Sequence, residues 1–235
     1  MKISFAKVKL ITLLGISLMT AGFGVYSALQ GKAMQKKLDE QSTILLEKME
    51  SGQTADLRLD ESIQTETLDF YQQPEENDVV TVEMNAVQHS EFKEAAEKTS
   101  QGEVSGIGVL KIDKIDLKMP VTYGAGSHQL KVAAGWVPET ASIGSYGNAV
   151  IAGHRNYTKG SHFNRLGEMA VGDVIGYTPL DGKEMRFVVT EILEALPGDS
   201  VAFEQTTDVQ MLTLYTCTPV RTATHRLLVR ATRVS

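Results

Sequence analysis

A single cysteine, Cys217, serves all 235 residues, so no disulfide within the chain holds the fold together. Basic residues are not in excess either. The 23 Lys and Arg stand against 29 Asp and Glu, a net charge of −6, and no basic patch of the kind that binds nucleic acid is present. Charge is missing altogether from residues 10–31. A bilayer takes about 20 apolar residues as a helix, so this run is long enough to span one. No small-x-small cleavage site follows it, and it is longer than the core of a signal peptide. These absences favour an uncleaved anchor. Lys2, Lys7 and Lys9 precede it and Lys32, Lys36 and Lys37 follow, so the lysines alone do not orient it. The N-terminal amine tips the balance towards cytoplasmic residues 1–9, with the remainder outside the cell. Outside the cell, structural cysteines come in pairs. An unpaired one is an intermolecular bridge or a reactive thiol, and Cys217, at a strand end among threonines, fits the thiol.

What charge there is lies unevenly. Residues 38–103 hold 17 Asp and Glu against four Lys and Arg, whereas the part from Val104 onward is close to neutral. Residues 38–49 have a helical apolar spacing that continues out of the anchor and stops at Ser51-Gly52. From Gln53 to Gly102 the chain is acidic and weakly periodic, which reads as a solvated spacer; a segment folding over the cleft is the alternative. The organisation expected is therefore a cytoplasmic end (1–9), an anchor (10–31), an acidic extracellular spacer (32–103) and a catalytic domain (104–235).

Beyond Gly106 short apolar runs follow one another between Gly- and Pro-marked turns. Residues 107–112, 115–117, 120–123, 148–152, 174–178, 185–193, 209–217 and 226–231 read as strands. Asp181-Gly182 is a strong hairpin turn. Short helices are expected over 128–136 and 161–170, where Phe163, Leu166 and Met169 recur at helical spacing. About eight short strands in about 130 residues make the fold mostly β, a closed barrel or a sandwich. Closure would pair the last strand on both sides.

Three strand ends carry chemistry. Cys217 closes the run Thr213-Leu214-Tyr215-Thr216-Cys217, Arg226 opens the returning strand, and His154 ends Ala149-Val150-Ile151-Ala152-Gly153-His154-Arg155. Each has an ordinary reading: a lone Cys as a small buried hydrophobe, a lone His as a surface group, an Arg as a solvated edge charge. Together they describe acyl transfer. A nearby His or Arg lowers a thiol's pKa, and the thiolate attacks carbonyls. His154 serves as base and then as the acid for a leaving amine. Arg226 stays protonated and stabilises a developing oxyanion. Trp136 reads as packing, Tyr157 and Phe163 as packing or pocket wall, His128 and His162 as surface residues. His225 sits beside Arg226, where it would line the cleft.

Thr213-Leu214-x-Thr216-Cys217, the upstream Ala152-Gly153-His154-Arg155 and the downstream Arg226-Leu227-Leu228-Val229 resemble the sortases, membrane-anchored transpeptidases of Gram-positive cell surfaces. The resemblance runs from about Gly106 to Val234 and includes the order of the motifs. It implies an eight-stranded β-barrel, with Cys217 as nucleophile, His154 as general acid/base and Arg226 as the substrate-orienting and oxyanion residue. Arg230 fits the family arginine less well. Thr216, Tyr157 and His225 would contact substrate. The chemistry implied is cleavage of a Leu-Pro-x-Thr-type sorting signal after Thr, and transfer to a cell-wall peptide amine. The partners would be surface proteins bearing such signals. Residues 154–166 are similar to class D sortases, and neither an Asp-Pro-aromatic lid nor a second hydrophobic segment at the C-terminus is seen, which argues against pilin polymerisation. No cofactor is expected; Asp113, Asp116 and Glu168 leave calcium activation as the alternative. The competing readings are another exported cysteine peptidase or transpeptidase, and a tethered β-domain that binds wall components without catalysis.

Overall fold

The computed structural model describes residues 5–52, 55–59, 103–155, 162–220 and 222–234, with no side-chain description before residue 28. The chain forms two compact units, 1–40 and 41–235. Helix α1 (Phe5–Glu50) runs through the first and into the second. Most side chains of the expected anchor lie outside the described residues. Among the described residues no helix is long and apolar enough to cross a membrane.

The second unit is a barrel. Its strands are β1 (Asp56–Arg58), β2 (Glu103–Ile112), β3 (Leu117–Tyr123), β4 (Ala134–Trp136), β5 (Gly147–Ala152), β6 (Val174–Pro179), β7 (Met185–Ala195), β8 (Gln210–Thr218) and β9 (His225–Val234). The order is β1-β2-β3-β4-β5-β8-β9-β7-β6, and β6 pairs with β2 to close a ring of eight, β2 to β9. Two pairings, β3–β4 and β5–β8, are parallel. The last strand lies between β7 and β8 and so has a partner on each side.

Alternation along each strand sends side chains to opposite faces. On β8, Leu212 and Leu214 enter the barrel core with Phe187, Val229 and Ala231. Tyr215 instead joins a second apolar cluster on the outer wall, with Val150, Ala152 and Leu228 of the strands. Leu130 of helix α2 (Ser127–Val132) and Ala202 of a single 3₁₀ turn (Ser200–Phe203) cover that cluster. Each fully buried Leu, Val or Phe stabilises the fold by about 1.5–3 kcal/mol relative to exposure.

The structure departs from the sequence reading in three places. Residues 134–136 are a strand and not the end of a helix: β4 bridges β3 and β5, and the buried Trp136 donates its indole N–H to the Ala141 carbonyl at 3.0 Å. The helix expected over 161–170 is a turn followed by one 3₁₀ turn (Leu166–Glu168). Phe163, Leu166 and Met169 are buried all the same, because a spacing of three suits 3₁₀ geometry. The strands expected over 115–117 and 120–123 are a single strand, β3, entered from a 3₁₀ turn (Asp113–Ile115). Leu45 and Met49 at the end of α1, with Ala55 and Leu59 around β1, are buried. Gly106 makes room for them, since a Cβ there would lie 1.9 Å from the Met49 methyl. β1 adds a ninth strand outside the ring by pairing with residues 103–105. Most of the acidic spacer, 60–102, lies outside the described residues.

Candidate active site

The β8–β9 hairpin sets Cys217 and Arg226 directly opposite one another. Residues paired in this way share a face, so both project from the outer wall, the side that Tyr215 occupies two residues earlier. Tyr215 hydrogen-bonds Arg226. Its ring lies 5.7 Å from Phe203 of the covering turn. The Arg226 guanidinium also donates to the carbonyls of Ala223 (3.1 Å) and His225 (3.2 Å), which fixes it over its own turn.

His154 reaches the same end by a different route. β5 runs parallel to β8, and the pairing ends at Ala152 and Tyr215. One residue further, the Gly153 N–H donates to the Tyr215 carbonyl at 3.0 Å. The Thr216 hydroxyl donates to the Gly153 carbonyl at 2.7 Å. The residue before His154 is thus latched to the residue before Cys217. Phe163 packs on Gly153 so closely that any Cβ there would fall 2.6 Å from its ring, and the Phe163 N–H donates to the His154 carbonyl at 3.0 Å.

Burial dominates the electrostatics. It pushes the half-buried Cys217 thiol above its ordinary pKa, against the pull of Arg226 first and Arg155 second. It brings His154 down to about 4, helped by the charges of His162 and Lys131. Both shifts favour the neutral forms of the two groups.

Other expected contacts fall elsewhere. Thr216 is fully buried and donates its hydroxyl to Gly153, which ties it to the His154 segment. His225 pairs with Thr218 in register and leaves β9 on the face opposite to Arg226, with its Nδ1 3.0 Å from the Thr224 hydroxyl. Tyr157 lies outside the described residues. Arg230, four residues along β9 on the same face as Arg226, is pinned by Glu191 at 2.8 Å and by the Val201 carbonyl. Asp113 pairs with Lys111 and Glu168 with Arg165. Among the described residues no group of three His, Cys, Asp or Glu could hold a metal ion.

Two residues escaped the sequence reading. The ring of His162 lies 6.4 Å from that of His154, centroid to centroid, brought there by the turn at 162–165. Asn148, fully buried on β5, accepts from the Thr213 hydroxyl at 2.7 Å and donates to the carbonyls of Ala202 and Glu204 at 3.0 Å each. It ties the covering turn to the wall. An asparagine amid an otherwise apolar run was the available signal for it.

Comparison with known proteins agrees with this arrangement. The family model described as Sortase domain matches residues 110–234. Sortase A of Streptococcus agalactiae is 29% identical over 129 residues, which are 53% of this chain and 51% of that protein. The chain therefore spans about half the length of the curated relative it matches. Among solved structures, Streptococcus agalactiae sortase C1 is similar at 27% identity and a TM-score of 0.52, over 55% of this chain and 69% of that one. A lid mutant of sortase A from Corynebacterium diphtheriae gives 27% and 0.56, over 68% and 87%. A Clostridium perfringens sortase D5 transpeptidase gives 28% and 0.51, over 63% and 93%.

Proposed function

The chain belongs to the sortase family, and on that premise we propose that it is a cysteine transpeptidase that anchors surface proteins to the cell wall. One observation carries the assignment of roles. Cys217 and Arg226 face each other in register on the β8–β9 hairpin, and the segment bearing His154 is latched to the same hairpin.

In this reading the Cys217 sulfur attacks the carbonyl of the Thr in a Leu-Pro-x-Thr-type signal, while its proton passes to His154. Arg226 donates to the oxyanion as the tetrahedral intermediate forms. His154 then gives the proton to the leaving amine, and a thioester remains on Cys217. An amine of a cell-wall peptide attacks the thioester, His154 removes the amine's proton, and the new amide leaves the thiol restored. Residues 10–31 anchor the chain in the membrane with the barrel outside the cell. The sequence of residues 154–166 supports a class D assignment, and the likeness to a sortase D5 transpeptidase is in keeping with it.

The test is mass spectrometry of the full chain with Leu-Pro-x-Thr peptides, with and without added amines, beside Cys217→Ala. Cleavage after Thr, a thioester on Cys217 and an amine-dependent product are expected. An unreactive Cys217 in a folded chain, with no adduct from any peptide, would refute the enzyme reading.

A further inference from the structure

We propose that Arg155 is a positioning residue for the nucleophile, holding the end of β8 from the side away from Arg226. The proposal rests on the transpeptidase reading only for its kinetic consequence.

Arg155 follows His154 but serves another strand. Its Nη1 donates to the backbone carbonyl of Cys217 at 3.3 Å, and its Nε donates to the Asn164 carbonyl at 3.4 Å. One guanidinium therefore spans the tip of β8 and the turn that follows the His154 loop. Two further features fit the side chain to this place. Gly167 leaves it room: a Cβ there would lie 2.5 Å from the guanidinium Nη2. Glu194 attracts it. Glu194 pairs in register with the core residue Leu227 and accepts from the Thr218 hydroxyl at 3.4 Å, so it marks the barrel's interior side. Cys217 and Arg226 project from the outer wall, so the two arginines approach Cys217 from different sides.

The two cations do different work. Arg226 shares the thiol's face, where a substrate would meet it. Arg155 holds the backbone of the nucleophile, and its charge favours thiolate over thiol, second only to Arg226 among the charges that do so. A planar fork with several donors suits a bridge between two carbonyls, whereas an ammonium is a point charge.

Because Cys217 is the only cysteine, alkylation by iodoacetamide followed against pH reports its acidity in the full chain without any peptide. Arg155→Gln removes the charge and the bridge. Gly167→Ala keeps the arginine and displaces it. For Arg155→Gln the alkylation midpoint moves up by about half a pH unit, so the rate near neutral pH falls about threefold. Peptide transfer loses about tenfold in kcat with KM little changed, the mark of a misplaced reacting group. Gly167→Ala shifts both in the same direction by less. A folded Arg155→Gln chain with the wild-type alkylation profile overturns the proposal; should that variant not fold, a wild-type profile for Gly167→Ala overturns it. Failure of the unaltered chain to transfer any peptide would refute the family activity and leave the alkylation result standing.

Discussion

Arg226 and Arg230 stand four residues apart on one face of β9, and their surroundings differ in kind. Arg230 lies where the barrel wall is sealed. Its side chain is 13% exposed and meets the carboxylates of Glu191 at 2.8 Å and Glu204 at 3.6 Å. Beside it, Thr213, Asn148 and the carbonyls of 202 and 204 close a continuous hydrogen-bonded patch. Arg226 lies where the wall opens, held by two carbonyls of its own turn and by the Tyr215 hydroxyl. Neutral partners fix the side chain without cancelling its charge, and that charge acts on Cys217. Carboxylate partners turn the same residue type into scaffold.

The widest separation between the two ends comes from neutralising each arginine in turn. Arg226→Gln should lower the rate of peptide transfer by about 10²–10³, the usual cost of losing one oxyanion donor, with the melting temperature almost unmoved. If the rate survives, Arg226 is no more catalytic than Arg230.

The next contrast is with pH. His154 titrates at about 4 in the folded chain and near 6.5 unfolded. As pH falls, the unfolded chain takes up the proton first. Stability is therefore fully present above about 6.5 and falls by up to ~3 kcal/mol on the way to pH 4. Denaturant titrations across this window should show the slope, and His154→Asn should flatten it while leaving stability at pH 7.5 nearly intact.

Arg230→Met should do the reverse of Arg226→Gln. Losing the contacts to Glu191, Glu204 and Val201 costs about 1–3 kcal/mol in chemical denaturation, with kcat changed only a few-fold. The smallest effect is reserved for Tyr215→Phe. It removes one hydrogen bond from Arg226, worth about 0.5–1.5 kcal/mol, and should slow transfer several-fold without changing the alkylation profile of Cys217 appreciably.

The choice between these two arginines marks how far sequence carries. Strand ends were legible because Thr218-Pro219 and Asp181-Gly182 punctuate apolar runs, so Cys217, His154 and Arg226 were seen to terminate strands. That Arg226 lies opposite Cys217 depends on register, which the hairpin sets in three dimensions. Seven of the eight ring strands followed from apolar runs, two of which, 115–117 and 120–123, fall together at β3. β1 and β4 did not, because three residues carry no periodicity and both exist through their neighbours. His162 read as a surface group and Arg155 was given no role, because their partners lie across a loop and across the Cys217 strand end.

Arg58 and Glu103 sit opposite each other in the β1–β2 ladder and form a salt bridge at 3.4 Å. Residues on either side of 60–102 therefore meet edge to edge at this corner, outside the ring of eight. Ala55 and Leu59, which flank β1, are buried, so β1 acts as a clasp: parting it from β2 would uncover them both.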